Sequence, residues 1–376
     1  MRVGLNLLYF IVGQGGVETF GRELMQALRD SAGKDIEYVV YTSRCGMELT
    51  ATADERVKVR ICPFNATNRG VRYLWEQFIL PWQALADGVD ILHSLAYVGP
   101  IFSFVPTVVT IHDANSRVVG TDMSLQRRAV LWNISRLASR TARLVATVSN
   151  FSRDELVRWY KLPVSKIRVI YCGPGSSLNA VPASRTGENA FEISGPYIAV
   201  IGGEYPHKNI ARLVKAYGRI ASKINHKLVI AGLIPQDVAK LIKGLNLQSI
   251  IVTGYLSRAE LREAIAGSDL FVMPSLYEGF GAPVLEAQGL GVPVACSSAG
   301  SLPEIMGGSA VLFDPKDIDA MGTAIARCVS DRALNSELRT LGRENFARFT
   351  WRNTADAYSS CYRELMNWKS KPRSSR

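Results

Sequence analysis

The sequence predicts an α/β protein built from two Rossmann-like domains that face a cleft. Three observations carry that expectation. Short β-branched apolar runs alternate with amphipathic helical stretches along nearly the whole chain, the pattern of a parallel sheet with helices on both faces. The alternation breaks once, at a stretch rich in Gly, Pro, Ser and Asn, and then restarts. The 376 residues are enough for two separately cored domains.

Taken in order, "RVGLNLLYF" (Arg2 to Phe10) reads as a buried first strand. It lacks the basic n-region and the small-residue cleavage site of a signal peptide. "IEYVVYT", "DILHSL", "TVVTIHD", "RLVATVS" and "IRVIY" follow as the other strands of the first half. Residues 173–196, "GPGSSLNAVPASRTGENAFEISGP", read as a linker. The second half repeats the pattern with "YIAVIGG", "KLVIAG", "IIVTGY", "LFVMPS", "PVACS" and "AVLFDP". Ligands of open α/β sheets sit at the carboxyl ends of the strands, so a cleft between two such sheets would gather both sets of loops. The basic tail "KSKPRSSR" reads as a frayed terminus.

Composition narrows the class. Hydrophobic residues make up 47% and charged residues 20% of the chain, a globular balance. No apolar run is long enough to span a bilayer. Six cysteines lie far apart with no Cys-x-x-Cys pair, which argues against metal or redox use and for reduced thiols in the cytoplasm. The net charge of +11 suits an anionic partner, whether nucleic acid, a membrane surface or a phosphorylated small molecule.

The motifs favour phosphorylated small molecules. In "LFVMPSLYEGFGAPVLEAQGLG" two acids, Glu278 and Glu286, flank glycine-rich backbone. The strand ends at Pro274 and a helix is predicted from Pro283, a favoured first-turn residue. The amides of Phe280, Gly281 and Ala282 would then sit at a helix N-terminus, ready for a phosphate oxygen. Gly279 and Gly281 let backbone approach a ligand with no Cβ in the way. Glu286 is placed in the first helical turn, where the helix dipole alone would favour an acid. Each carboxylate can accept two hydrogen bonds from a vicinal diol. Gly15 and Gly16, after the first strand, again leave amides bare beside a helix start, although the spacing is not that of a dinucleotide fingerprint. Lys208 in "IGGEYPHKNIARL" stands near another helix start, where a lysine would partner phosphate. His112 closes the strand "TVVTIHD" and is expected to face the cleft.

Together these segments resemble the family-4 retaining glycosyltransferases, enzymes of the GT-B fold, and the likeness runs in order over almost the full chain. "GGVETFGREL" is similar to the family's glycine loop, "VVTIHD" to its histidine segment, and "HKN" to its lysine loop. "YEGFGAPVLEA" is similar to its paired-glutamate motif and "FTWRNTADAYSSCYREL" to its C-terminal helix. The resemblance implies an acceptor domain over 1–180, a nucleotide-sugar domain over 181–350, and a helix over 351–368 that crosses back to the first domain. It implies that Glu286 holds ribose and Glu278 the donor hexose. The diphosphate would fall to Phe280–Ala282, Gly15 or Gly16, and Lys208, with Gly203 also in the nucleotide-sugar site. Gly254, Tyr255 and Leu256 would lie beside the base, and His112 would hold a donor hydroxyl or stabilise the charged sugar. Three departures stand out. Gly203 replaces a common Arg or Ser, His207 replaces a common Arg as a weaker, pH-dependent cation, and Cys172 replaces Asn.

The expected activity is metal-independent, configuration-retaining transfer of a hexose from a nucleotide-diphosphate sugar, GDP-mannose first, with no cofactor. The expected acceptor is a glycan or lipid-linked saccharide of bacterial polysaccharide assembly; nucleic acid is not an expected partner. The rivals are a nucleotide-sugar 2-epimerase and a non-catalytic nucleotide-sugar-binding subunit. Asp317 and Asp319 have metal-binding spacing but read as the cap and first turn of a helix. Between Asp122 and Asp154 the chain has no acid and six arginines. On a helix over 125–143, Val130, Leu131, Ile134, Leu137 and Ala138 are predicted to pack on the sheet. Arg128, Arg136, Arg140 and Arg143 would gather opposite, with an exposed Trp132 among them. That face is expected to meet an anionic membrane surface, which places the enzyme peripherally on the inner face of the cytoplasmic membrane.

Overall fold

The computed structural model describes residues 1–13, 15–31, 35–115, 124–175 and 193–369. Residues 176–192 of the predicted linker, Gln14 in the glycine loop, and 370–376 of the basic tail lie outside them. The described chain forms two compact units. One takes in the residues up to Gly173 together with the C-terminal helix Trp351–Lys369, and the other runs from Pro174 to Phe349.

The first unit is built on a sheet of seven parallel strands. They are β1 (Arg2–Leu7), β2 (Glu37–Ser43), β3 (Val57–Cys62), β4 (Ile91–Ser94), β5 (Thr107–Thr110), β6 (Leu144–Thr147) and β7 (Ile167–Val169), in spatial order β3-β2-β1-β4-β5-β6-β7. The central strands are buried on both faces, so they read as continuous apolar runs. The first strand ends at Leu7, short of the predicted Phe10. β3 was not among the predicted strands. Its sequence, VKVRIC, alternates apolar with exposed Lys58 and Arg60 because it sits at the sheet's edge.

The second unit repeats the design with β8 (Tyr197–Ile201), β9 (Lys227–Ala231), β10 (Ile250–Val252), β11 (Leu270–Met273), β12 (Val294–Ser297) and β13 (Val311–Phe313), in order β10-β9-β8-β11-β12-β13. Each predicted run of this half contains one of these strands. In both sheets the strand order reverses once, between β1 and β4 and between β8 and β11. Doubly wound sheets bind ligands at such switch points.

The C-terminal helix docks on the first unit through buried polar contacts as well as apolar ones. His93, fully buried on β4, meets the Tyr362 hydroxyl at 2.6 Å through Nδ1 and Thr110 Oγ1 at 2.8 Å through Nε2. Gly173 is needed where the chain passes this helix, since a Cβ there would lie 2.7 Å from the Trp351 nitrogen. Burial drives the His93 pKa down to about 3, so its ring is neutral and structural.

The helix Leu125–Thr141 corrects one expectation. Its buried side chains are Ser135, Ala138 and Ser139, while Val130 and Leu137 point to solvent. Trp132 is half-buried, its ring 4.5 Å from that of Tyr160. Small serines and alanine let the helix approach the sheet closely, which turned the inward face away from the leucine and valine stripe. The indole is therefore a packing residue. Arg140 and Arg143 are exposed, whereas Arg128 and Arg136 are half-buried.

Candidate active site

In the second unit the candidate residues follow β8 and β11, the two strands at the switch point, except Gly254, Tyr255 and Leu256, which follow edge strand β10. β8 runs into Gly202 and Gly203 and then a single helical turn, Pro206–Lys208. Asn209 turns the chain in the left-handed region (φ 60°), and its Nδ2 donates to the carbonyls of Pro274 at 2.9 Å and Pro315 at 2.7 Å. The Leu276 amide donates to the His207 carbonyl at 2.7 Å. The lysine loop is thereby stitched to the loop after β11. Across this seam Lys208 Nζ donates to Glu278 Oε1 at 2.9 Å, with both side chains mostly buried.

The Glu278 loop is held from the far side as well. The Ser301 amide and hydroxyl donate to the Glu278 carbonyl at 3.1 and 3.0 Å. Gly300 (φ 68°) passes so close that a Cβ would stand 2.8 Å from the Glu278 nitrogen and oxygen. Gly281 (φ 89°) then opens the helix Ala282–Gly289, which has no side-chain cap on its first amides. That helix starts one residue before the predicted Pro283. Phe280 and Gly281 are buried and the Phe280 ring packs on Phe349 at 5.8 Å, so their backbone is what the loop can offer a ligand. Glu286 lies in the second turn of the helix. The dipole reason for an acid at its start therefore does not account for it. Its Oε1 accepts from the Gly175 amide at 3.3 Å.

A lysine ammonium has three donors, and Glu278 uses one of those on Lys208. The pair thus presents both donors and a carboxylate oxygen, the combination a phosphate beside a sugar diol needs. His207 is set up as a weaker cation than an arginine would be. Burial, and then the Lys208 charge, push its pKa below the usual histidine value, and its ring stacks on Tyr205 at 5.6 Å. Gly203 lies against the lysine stem, where a Cβ would be 3.2 Å from Lys208 Cγ. Gly254 (φ 73°) follows β10, bridges Gly232, and leaves Tyr255 exposed with Leu256 half-buried beside it.

The first unit carries His112, just past the end of β5. Its Nε2 faces the Leu95 carbonyl at 3.1 Å, so that nitrogen carries the proton. Burial lowers its pKa to about 4. The neutral ring then has Nδ1 as an acceptor, suited to a sugar hydroxyl. Phe20, on the helix Gly15–Asp30, meets the imidazole edge-on at 4.6 Å. Phe20 is itself backed by Trp351 at 5.7 Å. Gly15 (φ 74°) and Gly16 form the exposed start of that helix, with open space where their Cβ atoms would be.

Sequence reasoning missed Tyr97, whose ring lies 5.6 Å from that of His112 and whose backbone is in a left-handed conformation (φ 39°). Such strain at a non-glycine residue collects at functional sites. Tyr97 also lines a cavity of about 380 Å³ with Tyr9, Glu18, Arg69, Arg72 and Arg127. No spacing in the sequence links these residues. Asp317 caps the helix Ile318–Ser330 as predicted, accepting from the amides of Asp319 and Ala320 at 2.9 and 3.0 Å, and Asp319 pairs with Arg219.

Two Rossmann-like units, each with its candidate residues on loops at the strand ends, define the GT-B class of glycosyltransferase folds. Sucrose-phosphate synthase from Thermosynechococcus elongatus superposes with a TM-score of 0.76 at 20% identity, over 98% of this chain and 99% of its own. Residues 14–174 match the family described as Glycosyltransferase Family 4, and residues 188–345 that described as Glycosyl transferases group 1. The chain belongs to the family-4 glycosyltransferases. It is 32% identical over 237 residues to O-antigen chain mannosyltransferase B of Escherichia coli, covering 60% of this chain and 61% of that relative. The MMP alpha-(1->4)-mannosyltransferase of Mycolicibacterium hassiacum is 27% identical, over 69% of this chain and 66% of its own. The chain thus spans less than two thirds of the length of these relatives.

Proposed function

We propose that the protein transfers a hexose, mannose first, from a nucleotide-diphosphate sugar to a glycan or lipid-linked acceptor, with retention and without a metal. The observation that carries this reading is the Lys208–Glu278 pair beside the uncapped amides of the helix Ala282–Gly289. Lys208 and those amides hold the diphosphate, Glu278 the hexose hydroxyls and Glu286 the ribose diol. Gly254, Tyr255 and Leu256 lie by the base. The glycosidic C–O bond breaks with its electron pair going to the diphosphate, whose growing charge the lysine and amides stabilise. A diphosphate oxygen takes the proton of the incoming hydroxyl, which attacks from the same face. His112, neutral, accepts a hydroxyl of the transferring sugar and adds no positive charge beside a cationic transition state. The mannosyltransferase relatives support mannose, and with it GDP-mannose as donor.

The acceptor half of the reaction falls to the first unit, where the arginine and tyrosine cavity beside Tyr97 suits a saccharide bearing an anionic group. A lipid-linked acceptor would bring the protein to the inner face of the cytoplasmic membrane. Incubating the protein with a panel of nucleotide sugars and acceptors in EDTA tests the whole reading. Transfer to acceptor with the donor's anomeric configuration supports it. Epimerised free sugar would make the protein a 2-epimerase, and tight nucleotide-sugar binding with no turnover a binding subunit.

A further inference from the structure

Behind the cavity that holds Tyr97, the first unit buries a carboxylate that packing alone would not ask for. The helix Arg69–Leu74 starts at Asn68, whose Oδ1 accepts from the Val71 amide at 3.2 Å. It runs on into a wider turn, Trp75–Ile79, in which the Leu80 amide reaches back five residues to the Trp75 carbonyl. Pro81 follows and has no amide to give the Gln77 carbonyl, so the run does not keep an ordinary pitch there. Such widened turns gather at functional sites. This one turns Glu76 inward, where its side chain is 1% exposed.

Glu76 is poorly provided for. Asn6, near the carboxyl end of β1, gives its Oε1 one long hydrogen bond of 3.4 Å and shares the same Nδ2 with Ser94 on β4 at 3.2 Å. The first sheet's order reverses between β1 and β4, so Glu76 sits at the switch point. Its Oε2 has no hydrogen-bond partner among the described residues. Across a gap of 3.9 Å stands Arg72 Nε, which has none either. Asn6 and Ser94 are neutral, so Arg72 is the charge that acts on Glu76. Burial pushes the Glu76 pKa up to about 7, and Arg72 and then Asn6 pull against it.

The other side of Arg72 lines the cavity with Arg69 and Arg127. Burial, and then the Arg127 charge, push the Arg69 pKa below the usual arginine value. Neither Arg69 nor Arg127 has an ion-pair partner among the described residues. The acid lining the cavity, Glu18, is held by Arg22 of its own helix. The cavity therefore keeps positive charge for a bound anion to meet, and Arg72 stands between that anion and a loosely held carboxylate.

We propose that Glu76 is a positioning residue for the acceptor's anionic group, acting through Arg72. In the empty site the carboxylate keeps Arg72 against the cavity wall. An arriving anion takes the Arg72 charge, and Glu76, left with a negative group nearby and one long hydrogen bond, takes up a proton. The only covalent change is an O–H bond formed on the carboxylate with a proton drawn from the buffer. The bound state then holds more protons than the empty one, so anion affinity falls as the pH rises above about 7. The proposal deepens the reading of this cavity as the acceptor's and rests on it for its purpose, while the exchange can be measured with a simple anion.

The probe is sulfate, which stays doubly charged near neutral pH where phosphate itself titrates. Its affinity for the full chain is read from the rise in melting temperature against chloride at equal ionic strength, with GDP in excess to fill the donor site. Wild-type affinity should fall by about tenfold from roughly pH 6.5 to 8.5. Glu76→Gln keeps the shape and the acceptor for Asn6 and mimics the protonated carboxyl. It should show no pH slope and bind sulfate about tenfold more tightly than wild type at the alkaline end. A residue that only packs would change the melting temperature and leave the slope. Arg69→Ala with Arg127→Ala should abolish the sulfate response, which places the anion in this cavity. Wild-type affinity that ignores pH overturns the proposal, as does a Glu76→Gln slope equal to the wild type's. Sulfate binding that survives the loss of both arginines also overturns it. Calorimetry with GDP and UDP reports the donor site separately, so loss of nucleotide binding with the sulfate slope intact would count against the transferase reading alone.

Discussion

His112 and Lys208 occupy matching places, each just past the carboxyl end of a strand near its sheet's switch point, yet their surroundings are opposite. Lys208 is charged, partly open to solvent, and held by a carboxylate from a loop 70 residues away. His112 is neutral and walled by the rings of Phe20 and Tyr97. The second unit sets its polar groups by backbone stitching, through Asn209, Ser301 and two left-handed glycines. The first unit sets its histidine by packing. The lesson is that one half-site depends on local chain chemistry and the other on the integrity of a core.

That contrast can be broken most severely at Phe20. Phe20→Ala removes a 4%-exposed ring and should cost about 3–5 kcal/mol of stability. Chemical denaturation measures this, and a loss below about 1 kcal/mol would show that the packing around His112 is not what holds it.

Lys208→Ala should do the reverse, leaving the melting temperature nearly unchanged while nucleoside diphosphate affinity falls by about 1–3 kcal/mol. Glu286→Gln should weaken the same binding within that range. Calorimetric titration decides, and equal affinities for both variants and wild type sink the assignment. His112→Ala should lower turnover with little change in that affinity.

The pH dependence of stability sharpens the comparison, because the two histidines whose pKa falls furthest, His93 and His112, lie in the first unit. Burial lowers His112 from 6.5 to about 4 and His93 from 6.5 to about 3. Between those values the unfolded chain binds protons that the folded one does not. Stability is therefore complete above the unfolded value and is lost as the pH falls, by up to about 1.4 kcal/mol per pH unit for each histidine. Denaturation curves taken from neutral pH to about 4.5 should show this decline, and His93→Gln should flatten it. A flat wild-type profile would mean that the rings are not buried and neutral.

The smallest effect is expected at Gly203. Gly203→Ser adds a Cβ against the Lys208 stem, so nucleotide affinity should move by less than about 1 kcal/mol. A larger gain would mark this glycine as a suppressed phosphate contact.

What the sequence by itself determined were the features written in short stretches of chain. β11 and the helix after it, the glycines between Glu278 and Glu286, the Asp317 cap and the two-part α/β pattern follow from local propensity and spacing, and all were legible. Edge strand β3 escaped because its charged alternation resembles a surface loop more than a buried strand. Tertiary structure alone decided which faces are inside. Trp132 turned inward because serines and alanine, which carry little hydrophobic signal, let a helix sit close to its sheet. Burial lowered the His207 pKa, and His112 gained an acceptor nitrogen because the Leu95 carbonyl happened to lie opposite Nε2. The outward side chains of Leu74, Phe78 and Trp82 carry the period of a core helix and look like one in sequence. Periodicity states which residues share a face, and only the packed neighbours, brought from distant parts of the chain, state whether that face meets protein or solvent.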